Sequence, residues 1–232
     1  MTGGEVLGVT AVGVLVGVDL VSVPQAMIAR PLVAAFVGGW LMGHPAVGLL
    51  VGVLLELFAL ESLPVGAARY PDWGPPAVAT GALVAERAGT PVAAGIWPLL
   101  LVAVLVAALA AAVGTWSMYL VRHANGAAIR RYAGQLERGD PKALIALQAG
   151  GFVRDSARSA ALTLLTLWPG GMVVRVLSEW WRPPAVVAEG IVLSVALGAG
   201  ACSAWRLFGR GTTARWLAAG LLAGCAGVLL WA

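Results

Sequence analysis

Charge is what this sequence of 232 residues has least of: Asp, Glu, Lys and Arg together make up 11% of it. An average soluble domain carries about 25%, so too little polar surface exists here to cover a water-exposed globule. Cysteine is equally scarce. Cys202 and Cys225 lie in apolar segments without CxxC spacing or a neighbouring histidine. That excludes a disulfide scaffold and a thiolate metal site, and both read as small buried hydrophobes. His44 and His123 stand alone, as a turn residue and a loop residue. There is no P-loop, no HExxH and no Ser-His-Asp arrangement, so no catalytic residue, cofactor or metal is assigned. What fills the chain instead is 60% hydrophobic residues, with a mean hydropathy of +0.89. The fold class this predicts is an all-α polytopic membrane protein.

Net charge is +4, but its distribution argues against nucleic acid. Seven of the fifteen basic residues fall between Arg122 and Arg158, and three more at Arg206, Arg210 and Arg215. Both groups separate long apolar stretches, where the positive-inside rule expects cytoplasmic loops. The aromatic or Gly-rich segments of a nucleic-acid face are missing. The N-terminus has an acid, Glu5, where a signal peptide carries bases, and reads as a retained first helix.

A crossing needs about 20 apolar residues. Ser159–Val174, Ala185–Trp205 (interrupted by Glu189 alone) and Trp216–Ala232 supply three such helices in the region 159–232. The tryptophans at 168, 180, 181, 205, 216 and 231 lie within or near their ends, as in an aromatic belt. Upstream, an uncharged run of 34 residues from Ala88 to Val121 contains Pro91 and Pro98. A bent helix over 91–121 is expected there. Residues 122–158 space Ile129, Tyr132 and Leu136 three and four apart among charges, and Asp140-Pro141 offers a cap and first-turn proline. They predict a cytoplasmic amphipathic arm of two helices ending at Gly150-Gly151.

Residues 1–90 differ. Pro31–Gly43 and Ala46–Leu60 are apolar but too short to span, and Gly43-His44-Pro45 joins them. Two half-helices around that turn predict a re-entrant hairpin, which survives at membrane depth only against protein or a wet cavity. Broken helices are a pointer to transporter binding sites. From Leu63 to Pro76 the chain has four prolines and two glycines, which predicts an unwound segment. No internal repeat or soluble domain is evident, so 1–232 reads as one membrane-embedded unit.

Charges inside such segments must face a cavity or a partner. Glu56 lies mid-segment with no cation at i±3 or i±4, leaving a substrate role and a buried pair as competing explanations. Asp19 and Arg30 are candidates to compensate one another, or for gating; Arg30 precedes Pro31 and suits a helix-start anchor. Asp72 adds a carboxylate to the unwound stretch. Carboxylates and amides bind hydroxyl-rich ligands with an aromatic ring against the sugar, and Trp73, Tyr70 and Phe58 are candidates for that ring.

The stretch from Arg30 to about Gly89 resembles the membrane subunit IIC of the mannose–fructose–sorbose type of bacterial sugar phosphotransferase system. The resemblance rests on Arg30-Pro31-Leu32-Val33, Gly39-Trp40-Leu41-Met42-Gly43 and Gly48-Leu49-Leu50-Val51-Gly52. Leu54-Leu55-Glu56-Leu57, Val65-Gly66-Ala67-Ala68 and Pro71-Asp72 continue it in order. Three departures leave the substrate open: His44 where that family has an acid, Pro64 where a polar residue is frequent, and Ala29 where histidine or serine is frequent.

The resemblance implies a permease subunit in the bacterial cytoplasmic membrane that carries a hexose or related sugar inward by alternating access. It implies a membrane partner IID, and cytoplasmic IIA and IIB phosphocarriers of which IIB phosphorylates the sugar. Substrate would meet Glu56, Gly66, Ala67, Asp72 and Trp73, with Asp19, Arg30 and His44 as structural or gating residues. The alternatives are a non-phosphorylating transporter of small polar solutes and a non-transporting membrane scaffold or regulatory subunit.

The positive-inside argument is open to a direct check. Single cysteines at Gln135 and Arg210, in a background lacking Cys202 and Cys225, are expected to react with an impermeant maleimide only from the cytoplasmic side. Labelling of either from outside reverses the orientation.

Overall fold

A computed structural model describes residues 1–60, 70–88, 96–181, 183–211 and 213–231. Every regular element among them is helical. The first, α1 (Gly3–Asp19), opens on a capping box: Glu5 donates its amide to Thr2 Oγ1 at 3.3 Å, and the Thr2 amide donates to Glu5 Oε2 at 2.6 Å. Gly13 and Gly17 on α1 let it lie directly against Thr163 and Ser159 of α6 (Pro141–Leu165).

The re-entrant hairpin is formed by α2 (Pro31–Leu41) and α3 (Pro45–Ala59), helices of 11 and 15 residues. At about 1.5 Å per residue neither reaches across a 30 Å hydrocarbon core. Proline heads each helix, where its missing amide costs nothing. Gly43 at φ +78° makes the reversal, a backbone region that favours glycine. Past the turn the two helices touch backbone to backbone. A Cβ on Gly48 would lie 2.5 Å from the Ala35 carbonyl oxygen and 2.8 Å from Gly39 Cα.

At the centre is α4 (Gly74–Ala88), which the sequence pattern did not single out. Residues 74–85 are all buried, and a helix of small and apolar residues on every side belongs inside other helices. The unwound segment is therefore shorter than expected where it is described: residues 70–73 are non-helical, and Gly74, Pro75 and Pro76 form the first turn of α4. A first turn needs no amide donors, so prolines there start a helix instead of breaking one. The Ala77 amide donates to the Trp73 carbonyl at 2.9 Å and closes that turn.

The long run that follows differs from the sequence expectation. Helix α5 (Ile96–Glu137) extends for 42 residues through position 122, so the polar stretch continues the membrane helix instead of forming a separate one. Pro98 falls in its first turn and causes no break; Pro91 lies outside the described residues. The chain reverses at Gly139 (φ +72°), and Asp140 caps α6 by accepting from the Lys142 amide at 2.9 Å. Gly150 and Gly151 do not end α6. Two glycines cost about 2 kcal/mol relative to alanine, which long flanking helices absorb.

Helix α6 continues through a π turn (Thr166–Gly170) at Pro169 into α7 (Gly171–Trp180). After it come α8 (Ala185–Phe208) and α9 (Thr213–Trp231). Three stretches among the described residues are long and apolar enough to cross a membrane: Ile96–Glu137, Pro141–Trp180 and Ala185–Phe208. Cys202, expected to be buried, is exposed on α8, because that helix buries only a narrow stripe of Ala188, Val192, Ala196, Gly200 and Ser203.

The hairpin contact gives a stability prediction. Gly48→Ala sets a methyl against rigid backbone and is expected to cost about 1–3 kcal/mol, lowering the melting temperature in detergent. Gly8→Ala, with nothing within 4 Å, serves as the control and should leave melting unchanged or slightly raised.

Candidate functional site

The non-helical residues 70–73 are held from two sides. On α5, Thr115 Oγ1 donates to the Tyr70 carbonyl at 3.0 Å, and the Asp72 amide donates to the Ala111 carbonyl at 3.1 Å. Gly114 makes this approach possible, since a Cβ there would lie 2.7 Å from Asp72 Cβ. On α6, Arg158 forms an ion pair with Asp72 Oδ2 across 86 positions of sequence. Both side chains are out of solvent, at 0% exposure for Asp72 and 3% for Arg158.

The pair extends into a chain. Arg158 Nε donates to Asp155 Oδ1 at 3.0 Å, and Ser22 Oγ, in the linker after α1, donates to Asp155 Oδ2 at 2.7 Å. The broken segment, α6 and the α1–α2 linker are thus joined by one polar network, buried at Asp72, Asp155 and Arg158 and open to solvent at Ser22. Sequence reasoning missed Arg158. The available signal was the Asp155–Arg158 pair at i, i+3 immediately before an uncharged run, where charges enter the membrane only with partners.

Two polar atoms of the segment are left over. Asp72 Oδ1 and Trp73 Nε1 are buried with no hydrogen-bond partner among the described residues. Burial of unmet polar groups costs about 1–3 kcal/mol each, so adjacent orphans, one acceptor and one donor, suit a hydroxyl-bearing ligand. The Trp73 ring lies 6.2 Å from that of Phe58 on α3, inclined by 31°.

The other candidates are placed differently. Glu56 faces Arg30: Nε donates to Glu56 Oε1 at 2.7 Å, a terminal guanidinium nitrogen bonds the same oxygen, and the Leu32 amide donates to Oε2 at 3.1 Å. This carboxylate clamps the open end of the hairpin and caps α2. Its side chain is 20% exposed and that of Arg30 26%. Phe58, two positions on, is the α3 residue that meets Trp73, and residues two apart point to different sides of a helix.

The expected Asp19–Arg30 compensation is not what forms. Asp19 accepts from the amides of Ala26 at 2.6 Å and Ala29 at 3.2 Å. A buried carboxylate is satisfied by nearby backbone in a tight linker, while Arg30 pairs with Glu56. His44 is the N-cap residue of α3 without a side-chain cap bond; its amide donates to the Gly39 carbonyl at 2.9 Å. Gly66 and Ala67, with Glu61, Pro64 and Arg69, lie outside the described residues.

Compared with known proteins, residues 5–199 match the family described as "PTS system sorbose-specific iic component". The chain belongs to this family. Two solved structures share the fold of this IIC chain. One, described as "Structure of membrane protein", has a TM-score of 0.66 at 20% identity and covers 99% of this chain and 96% of the other. The second, "CryoEM Structure of Mannose Transporter ManYZ and Microcin E492 (MceA) complex", has a TM-score of 0.58 at 20% identity and covers 99% and 95%. No curated protein sequence matches the IIC chain significantly. Family and fold together make it a multi-pass membrane component of a sugar phosphotransferase system.

In this IIC chain, Arg158→Gln leaves the Asp72 carboxylate buried without its cation, a change that costs about 3–5 kcal/mol. A large fall in melting temperature is expected, and Asp72→Asn combined with Arg158→Gln should recover part of it. Equal destabilisation by the single and double variants would show that the ion pair is not the coupling.

Proposed function

We propose that this chain is the sugar-translocating subunit of a mannose-type phosphoenolpyruvate-dependent phosphotransferase system in a bacterial cytoplasmic membrane. The observation that carries the proposal is the pair of orphaned buried atoms on the broken segment. A sugar hydroxyl donates to Asp72 Oδ1 while a sugar oxygen accepts from Trp73 Nε1, and the Trp73 and Phe58 rings offer the apolar face. Each orphan would gain a partner that the hydrogen bonds among the described residues do not give it. Glu56 contributes by holding the hairpin with Arg30 and Leu32.

Translocation by alternating access follows if the short helices α2–α4 move together against the long α5 and α6. Their backbone contacts make α2, α3 and α4 one packed body: Gly38 lies against Val78, Gly81 against Ala35, and Gly48 against Gly39. A IID-like membrane subunit would complete the transporter, the ManYZ structure being described as a mannose transporter. Phosphoryl-IIB, supplied through IIA, would phosphorylate the sugar at the cytoplasmic opening. The phosphosugar no longer fits the Asp72 carboxylate and leaves inward.

Trp73→Phe keeps an aromatic ring but removes the indole N–H and part of the buried bicycle. It is expected to weaken sugar binding about fivefold or more, the worth of one hydrogen bond and lost ring contact, with melting lowered by the cavity it leaves. Glu56→Gln is expected to abolish phosphoenolpyruvate-dependent uptake while membrane insertion stays intact. Unchanged binding in the first would remove Trp73 from the site, and unchanged uptake in the second would show that transport does not depend on the Glu56 clamp. Uptake that persists without the phosphocarriers would instead identify a non-phosphorylating transporter.

A further inference from the structure

Around Arg122 and beyond it, α5, the first half of α6 and the α1–α2 linker border a cavity of about 540 Å³, within the usual size range of small-molecule sites. Its polar wall is made by Ser22, Arg122, Asn125, Gln148, Arg154 and Asp155. We infer that this cavity is a second ligand site, for a soluble phosphomonoester of a polyol, on the cytoplasmic side of the broken segment. The inference rests on the transport proposal for its biological meaning, and on the cavity's own chemistry for the ligand.

Charge selects the sign. Around the cavity and the network behind it, Arg122, Arg154 and Arg158 stand against Asp72 and Asp155, so three guanidiniums against two carboxylates leave one positive charge. The Asp155 carboxylate already accepts from Arg158 and Ser22. Arg154 uses Nε on Asn125 Oδ1 at 2.7 Å, one of the five N–H donors that a guanidinium carries. Guanidinium forks match phosphate oxygens in shape and charge. The amides of Asn125 and Gln148 add donors and acceptors suited to hydroxyl groups.

Position separates a soluble ligand from a lipid. Arg122 is the first charge after the apolar run of α5, and Ile129 and Leu136 lie farther along the helix. Leu136 is 14 residues past Arg122, about 21 Å at 1.5 Å per residue. Met118 and Val121, at the end of the apolar run, line its near end, and the wall formed with Leu144 and Leu147 extends from there away from the hydrocarbon. An acyl chain would have to follow that wall out of the bilayer to fill the cavity, whereas the C–H faces of a sugar ring need only local contact.

The cavity also touches the transport segment twice. Arg122 lies within hydrogen-bonding reach of the Tyr70 phenol, and Asp155 reaches Asp72 through Arg158. Occupation by an anion would draw on Arg122 and Arg154 and so bear on residues 70–73 directly. A phosphorylated product leaving Asp72 would meet this site next.

The test uses the full chain, purified in detergent with its membrane partner, and isothermal titration with glucose 6-phosphate, sorbitol 6-phosphate, inorganic phosphate and the corresponding free sugars. At least one phosphomonoester is expected to bind more tightly than inorganic phosphate. Arg154→Gln should weaken it about tenfold or more, as expected for a lost hydrogen bond to a charged group, and leave free-sugar binding unchanged. Gln148→Ala should weaken the phosphomonoester and spare inorganic phosphate. Absence of phosphomonoester binding, affinities untouched by Arg154→Gln, or displacement by phosphatidylglycerol micelles would each overturn the inference. Free-sugar binding in the same preparation reports separately on the Asp72–Trp73 site, so failure of one leaves the other standing.

Discussion

A guanidinium cannot shed its charge inside a protein, and that constraint shapes this structure. Arg158 is buried among helices and needs carboxylates within reach; Asp72 on one side and Asp155 on the other supply them. Each of those acids is in turn costly to bury alone. The three groups are therefore mutually dependent, and they fix the non-helical residues 70–73 against α6 at a defined place. Through Ser22 the same network holds the linker from which the hairpin departs.

The short helices are built on a different principle. Glycines bring α2, α3 and α4 backbone to backbone, with Val47, Val51, Leu54, Leu55 and Val78 filling the core around those contacts. Lipid tails offer no hydrophobic drive for helix association, so close van der Waals contact has to supply it. This body shares an apolar core with α5, through Leu100, Val102 and Ala107, and meets α5 and α6 through polar contacts at Tyr70, Asp72 and Arg158.

The two acids singled out by their apolar surroundings have separated into different roles. Glu56 has its acceptor capacity taken by Arg30 and the Leu32 amide, and organises the hairpin. Among the described residues, one oxygen of Asp72 and the indole N–H of the next residue, Trp73, have no hydrogen-bond partner. A carboxylate in an apolar run signals a constraint of some kind, and only its neighbours say whether that constraint is structural or open to a ligand.

Composition and the lengths of the apolar runs were enough to establish a membrane protein with undersized N-terminal helices, because the bilayer sets a length that any crossing must meet. The Gly43-His44-Pro45 turn and the Asp140-Pro141 cap were legible too, since both depend on backbone geometry that a few adjacent residues control. Helix α4 was not, because its prolines signal a break locally and become a first turn only when the rest of the helix is buried. The continuity of α5 past Arg122 was hidden for a related reason: polarity changes along a helix without any change in its hydrogen-bond ladder. Partnerships lay furthest from view. Nothing near Asp72 in sequence points to a cation 86 positions away, and nothing near Glu56 points to Arg30, because ion pairs are decided by which helix faces meet. That is a property of the packed molecule alone.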